Sequence, residues 1–333
     1  MKKHKKLAST ARAAGFLAAA AAAGLAPAAA QAQTFPTHPV TMIVPFAAGG
    51  PTDVVARSLA EAMRKSLGQT VVVENVGGAG GTIGTARVAR AANDGYTVLL
   101  MHIGFSTAPA LYRHLSYDQA KDFAPVGLVV DVPMTIIGRP GFPAKNIKEF
   151  LSYTKANSAK LSMANAGIGS ASHLCGLLFT STLGVDIQAI PYKGTGPAMN
   201  DLLGKQVDFL CDQTTNTTGH IKAGKVMAYA VTSEKRLPSL PDLPTLDESG
   251  MKGFHVGIWH GMWAPKGTSP EIVAKLGTAL TAGLDDPAFK KRMSELGAIV
   301  LSDQATPAAL DTLVKSETAK WGAVIKKAGV YAD

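Results

Sequence analysis

Four times along this chain a short apolar segment runs into a cluster of glycines and small residues, and then into a helix-like stretch. Residues 41–44 read as a strand, followed by Pro45-Phe46-Ala47-Ala48-Gly49-Gly50-Pro51-Thr52-Asp53 and a helix. Residues 69–75 read as a second strand, followed by Gly77-Gly78-Ala79-Gly80-Gly81-Thr82 and another helix. Gly167-Ile168-Gly169-Ser170-Ala171-Ser172 and Gly194-Thr195-Gly196-Pro197 repeat the plan. Strands alternating with helices predict α/β layers. A glycine turn between strand and helix also leaves the first N–H groups of the helix unpartnered. Together with the helix dipole they form a cradle for an anion.

The N-terminal segment says where such a cradle works. Lys2, Lys3, Lys5, Lys6 and Arg12 precede an alanine-rich apolar run over 16–25, and Ala30-Gln31-Ala32 fits a small-x-small cleavage site. Residues 1–32 therefore read as a secretion signal, too short in its apolar part for a membrane span, with an uncleaved anchor as the alternative. The mature chain is expected to begin near Gln33, in a bacterial periplasm. Removing five Lys/Arg and no Asp/Glu lowers the net charge from +9 to about +4. No Lys/Arg-rich run remains, so nothing argues for nucleic acid. Nucleotide cofactors are scarce outside the cytoplasm, which turns the anion argument toward a small carboxylate. The remaining length suits two domains or one large one. Cys175 and Cys211 either pair as a disulfide or stay as buried thiols, and the scattered histidines show no metal-ligand spacing.

Val54, Val55, Leu59, Met63 and Leu67 line one face of the first helix, and Gly68 stops it. Residues 96–101 are short and apolar enough for a buried parallel strand. Strands are expected over 161–164 and 187–191, flanking a helix over 172–183. A helix over 199–203 and a strand over 207–211 follow. The last third reads as mostly helical, with Ser269-Pro270, Asp286-Pro287 and Thr306-Pro307 each placing a cap before a proline at the first helical position. Residues 237–244, with three prolines, read as an ordered loop.

The motifs carry competing readings. In the 77–84 stretch, Ile83 stands where a dinucleotide fingerprint needs its third glycine, and the next strand supplies no acid for a ribose. A tight turn, an anion site or a domain contact remain for it. Gly104-Phe105-Ser106-Thr107-Ala108 resembles a nucleophile elbow but ends in Ala. With His173 or His260 as base it leaves a Ser/His hydrolase as an alternative. Ser170 and Ser172 read better as caps and hydroxyl donors at a helix start. Phe46 and Trp259 are candidate apolar walls, Trp259 equally a core residue. Asp53 is a first-turn acid, a cap or a site residue. Asp212 ends an apolar strand, where it can accept from a ligand amine or hydroxyl. Lys193 is a solvated lysine or a steering charge.

These stretches resemble the substrate-binding proteins of tripartite tricarboxylate transporters, the Bug (Bordetella uptake gene) family. The likeness runs through the 44–53 motif, Glu74-Asn75 with its glycine run, and Ala91-Ala92-Asn93-Asp94-Gly95-Tyr96. It continues through Pro191-Tyr192-Lys193-Gly194, the 236–245 loop and Ala264-Pro265-Lys266-Gly267-Thr268. The resemblance implies an α/β, two-lobed type II periplasmic binding fold with the ligand in the cleft. Lobe 1 would be 34–131 plus 258–333, and lobe 2 would be 132–257, with hinges at the two crossings. It implies no catalysis, no cofactor and no metal. The ligand would be a small organic carboxylate held by backbone N–H groups and hydroxyls, and the partners the membrane components of the transporter, with the receptor a monomer. Carried onto this chain, the donors fall on Phe46, Ala48, Gly49, Gly50, Thr52 and Asp53 in lobe 1, and on Gly194, Thr195, Gly196 and Pro197 in lobe 2. Gly169, Ser170, Ala171, Ser172 and His173 would add contacts, as would His102, Phe105 and Ser106. Residues 211–216 depart from the commoner family pattern at that strand end. A sensory module presenting the same ligand to a receptor kinase is the other reading of this fold.

Overall fold

The computed structural model describes residues 35–329, 331 and 332; the expected secretion signal over 1–32 lies outside the described residues. Residues 1–37 and 38–333 are separate units, and the fold below is that of the second.

The chain opens with β1 (Val40–Val44), α1 (Pro51–Leu67), β2 (Val71–Asn75), α2 (Thr82–Ala89), β3 (Thr97–His102) and α3 (Gly104–Leu111). A long β4 (Phe123–Gly138) leads to α4 (Ile147–Asn157), β5 (Ser162–Asn165), α5 (Ala171–Leu183), β6 (Gln188–Pro191) and α6 (Thr195–Leu203). Then come β7 (Phe209–Gln213), α7 (Thr214–Lys222), β8 (Met227–Val231) and β9 (Gly257–Pro265). The chain closes with α8 (Pro270–Leu284), α9 (Pro287–Glu295), β10 (Ile299–Val300) and α10 (Pro307–Ala328). The expected strand–turn–helix units are present, with ends shifted by one to four residues.

The strands form one path, β2-β1-β3-β9-β4-β7-β5-β6, with β8 and β10 also on β4. β1 lies parallel to β2 and β3, and β5 parallel to β6 and β7, as the strand–helix alternation requires. β9 runs antiparallel to both β3 and β4. β4 changes partners along its length. Its first part pairs with β9 as far as Pro133, opposite Gly257. From Met134 on it pairs with β7, and from Thr135 also with β8. Pro125 and Gly127 would disfavour a central strand, but the register shifts there and again between Leu128 and Val130. In lobe 1, α1 packs against α8 and α10 covers α3 and β4.

The helix ends follow the local chemistry. Gly68 ends α1 in the left-handed conformation. Ser269, Asp286 and Thr306 accept hydrogen bonds from the first turns of α8, α9 and α10, each with proline at the first position. The 237–244 segment folds into a turn closed by a bridge between Leu237 and Leu240.

Cys175, in the first turns of α5, is joined by a disulfide to Cys211 on β7, with Cα atoms 6.1 Å apart. Closing a loop across 36 residues of sequence stabilises by roughly 3–4 kcal/mol in the chain-entropy model. Alkylation without reductant should leave the intact mass unchanged, and Cys175→Ser/Cys211→Ser should lose stability of that order in denaturant unfolding. Two alkylated thiols in the oxidised protein would contradict the pairing.

Candidate functional site

Three helix N-termini converge on a small buried cavity. The β1–α1 unit supplies Phe46, Pro51 and Thr52, and the end of β3 supplies His102. The segment after β4 supplies Ala166, Ala171 and Ser172 before and at the start of α5, Thr195 at the start of α6, and Asp212 and Gln213 where β7 meets α7. No lysine or arginine is among these lining residues. The cavity holds about 10 Å³, room for about one water.

One backbone and two side-chain hydrogen bonds form a seam around it. Ala47 donates its N–H to the Lys193 carbonyl at 2.9 Å. Tyr112 donates to the Ile168 carbonyl at 2.8 Å and Thr107 to the Gly169 carbonyl at 3.2 Å. Such approaches leave no room for side chains. At Gly194, whose φ is +147°, a Cβ would lie 2.8 Å from the Ala47 nitrogen. A Cβ at Gly80 would run into the Ile168 carbonyl, and one at Gly77 would meet the Lys193 carbonyl at 2.6 Å. The 77–82 turn therefore sits at the contact between lobes, outside the cavity lining. Beside the seam, Ala47, Tyr112, Gly167, Lys193 and Pro197 border a crevice of about 610 Å³.

Several polar atoms facing this region have no partner. Thr195 Oγ1, Asp212 Oδ1 and Gln213 Oε1 are buried and make no hydrogen bond. An orphaned buried polar atom costs about 1–3 kcal/mol, so three in one cavity call for a ligand or ordered water. Asp212 is 1 % exposed, and its Oδ2 takes a 2.6 Å hydrogen bond from Asn216. Burial pushes its pKa up to about 7 against the opposing pull of Asn216, the Gln213 backbone and the Thr195 hydroxyl. Thr195 stands close enough to exert that pull yet outside hydrogen-bond geometry.

The histidines are neutral donors and acceptors. His102 stacks on Phe46, with ring centroids 4.7 Å apart. Its Nδ1 accepts from the Gly104 N–H at 3.0 Å, which leaves the proton on Nε2. Burial, helped by nearby His260, holds its pKa well below the ordinary imidazole value. His260 contacts Thr52 Oγ1 through Nε2 at 3.2 Å, and burial lowers its pKa to about 4.

Of the residues singled out in the sequence, Phe46, Thr52, His102, Ala171, Ser172, Thr195 and Asp212 line the cavity. Others build the walls behind it. Ser170 caps α5 by accepting from the His173 N–H, and His173 Nδ1 accepts from Gly169 N–H. Gly196 packs against the Ala48 carbonyl, and a Cβ on Gly50 would lie 3.5 Å from both the Gly196 nitrogen and Thr195 Oγ1. Asp53 is fully engaged elsewhere. Its carboxylate takes Arg57, the Gly49 N–H and Asn75, and so fixes the shape of the 46–52 turn. Burial pushes its pKa up, but those hydrogen bonds and the Arg57 charge outweigh burial and hold it below the usual carboxylate range.

Three further expected residues, Phe105, Ser106 and Trp259, neither line the cavity nor back its walls. Phe105 stacks on Trp263 under α10, and Ser106 donates to the Val314 carbonyl at 3.4 Å. Trp259 borders a separate cavity with Asp131 and Trp321. The cause is strand alternation: paired with Asp131, Trp259 occupies the opposite face of β9 from His260. Gln213, Pro51 and Ala166 line the site without having been singled out individually. The position of Gln213 at the strand-to-helix junction beside Asp212 was the available signal.

A two-lobed α/β fold with helix N-termini facing one cavity is the architecture shared with solved periplasmic binding proteins. Residues 55–330 match the model of the tripartite tricarboxylate transporter family receptor. The chain belongs to that family. The solved structure of the periplasmic binding protein BugD is 65% identical, with a TM-score of 0.88, covering 89% of this chain and 99% of that one. MatC from Rhodopseudomonas palustris, solved with bound malate, is 44% identical, with a TM-score of 0.83, covering 87% and 100%. An Agrobacterium vitis protein from the TAR-I ttuE-ttuC' intergenic region is 49% identical over 316 residues, 94% of this chain and 91% of its own length.

The Asp212 environment makes stability pH-dependent. A carboxyl whose pKa is higher folded than unfolded binds its proton more tightly in the native state. Its destabilising effect grows from about pH 4 to pH 7 and is complete above that. Asp212→Asn removes it, so the variant should gain stability over the parent by up to about 4 kcal/mol at pH 8. At pH 4 the gain should vanish. Thermal unfolding at both pH values checks this; an equal shift at both would contradict it.

Proposed function

We propose that this protein captures a small organic carboxylate in the periplasm and delivers it to the membrane components of a tripartite tricarboxylate-type transporter. The observation that carries the reading is the convergence of the α1, α5 and α6 N-termini on one cavity. Their free N–H groups and positive dipole ends suit an anion, and the unpartnered Thr195 hydroxyl adds a donor. The bound malate of the MatC structure supports the ligand class, and family membership supports the transporter partner.

In this reading the lobes are 34–131 plus 258–333 and 132–257, and they move about the two crossing segments. A cavity of about 10 Å³, with room for about one water, does not admit an organic acid. Ligand entry therefore requires the lobes to part, and the ligand then ties them together.

Two experiments test the proposal. Calorimetry and thermal shift against mono-, di- and tricarboxylates, aromatic acids and amides should find an acid bound with micromolar or better affinity. Thr195→Val should weaken it by about 1–3 kcal/mol, because a buried ligand acceptor loses its donor. Binding confined to neutral or cationic compounds would contradict the carboxylate reading.

The three hydrogen bonds across the seam predict a separate effect. Tyr112 donates to Ile168 near the cleft but is not among the cavity-lining residues. Tyr112→Phe should weaken affinity by about 0.5–1.5 kcal/mol, the net value of one hydrogen bond, by disfavouring closure. Small-angle scattering should show a larger radius of gyration without the acid than with it. Identical radii, with matching free and bound crystal structures, would leave a preformed pocket in place of the hinge.

A further inference from the structure

Resting on the carboxylate reading, we propose that Asp212 is a specificity-determining residue that selects acids carrying a hydrogen-bond donor, hydroxyl or ammonium, on their carbon chain. The groups suited to holding a carboxylate here are donors: helix N–H groups and the Thr195 hydroxyl. Asp212 Oδ1 is different. It is a buried acceptor with no partner, and its neighbour Gln213 presents a second one, Oε1. Both residues line the same cavity as the helix N-termini.

Above its pKa of about 7 Asp212 is mostly ionised; an unsubstituted dicarboxylate then has no proton to offer these oxygens, and it brings a like charge toward Asp212. The lining contains no lysine or arginine to offset that charge, and His102, the other ionisable lining residue, is held neutral by burial. The elements packed around Asp212 add Asn216 from α7, Thr195 from α6 and Thr135 from β4, none of them cationic. Asn216 already occupies Oδ2, which fixes the carboxylate and leaves Oδ1 as the open acceptor. A ligand O–H or N–H placed there satisfies Oδ1. An ammonium also cancels the charge, while a hydroxyl satisfies the hydrogen bond alone. A site with a fixed buried hydrogen-bonding group rejects the analogue that lacks its complement, because the group is then left unpaired.

The test compares matched acids by calorimetry at pH 7.5: succinate, malate and aspartate; glutarate, 2-hydroxyglutarate and glutamate; propionate, lactate and alanine. In the best-bound series, a donor-bearing member should bind at least about tenfold tighter than the unsubstituted acid. The hydroxy and amino arms show which donor is used. Asp212→Asn should shrink that ratio to about threefold or less. Thr195→Val should weaken members of the series alike and keep the ratio. Equal binding of substituted and unsubstituted acids by the parent protein overturns the role of Asp212 and leaves the carboxylate reading standing. So does a ratio that survives in folded Asp212→Asn. Failure of every acid to bind to folded protein overturns both.

Discussion

A helix cannot satisfy its own first N–H groups, and a protein that buries several helix starts together must find another partner for them. Most of this architecture follows from that requirement. The starts of α1, α5 and α6 come from units far apart in sequence, so the cavity they share exists only when those units pack together. Backbone approaches backbone there, with Ala47 bonded to Lys193 across the seam. Glycines are placed where a side chain would hold the lobes apart, as at Gly77, Gly80 and Gly194.

Rigid props stand behind each helix start. In lobe 1 the Asp53 carboxylate gathers Gly49, Arg57 and Asn75, so the 46–52 turn is held by a buried charge-assisted network. Elsewhere the disulfide ties the start of α5 to the strand that carries Asp212, and Ser172 donates to the Cys211 carbonyl at 2.7 Å beside it. The lobes themselves are joined through the β4–β9 ribbon, where β4 changes partners at Pro133 and Met134. A proline at that position gives no backbone donor, which suits a strand leaving one set of partners for another.

Much of this was legible in the sequence because its determinants are local. Strand, glycine turn, cap and helix start are written within ten residues of one another, and so are Gly68 and the Ser-Pro, Asp-Pro and Thr-Pro helix starts. What was not legible depends on pairing. β4 was missed because Pro125, Gly127 and Pro133 argue against a central strand, and only the register shifts against β9 accommodate them. Trp259 was a candidate wall while its neighbour His260 contacts Thr52; the strand register decides between them, and sequence carries no register. Asp53 was ambiguous because Asn75, one of its partners, comes from the end of another strand. Phe105 and Ser106 follow the site strand closely, but the turn into α3 carries them beneath α10.

The central claim is that one carboxylate is held by helix starts from both lobes. A crystal structure with the tightest-binding acid from the screen tests it most directly. The account predicts a ligand carboxylate within hydrogen-bond distance of donors at Thr52 in lobe 1 and at Ser172 or Thr195 in lobe 2. A carboxylate bound by one lobe alone, or lodged in the separate cavity beside Trp259 and Trp321, would contradict it.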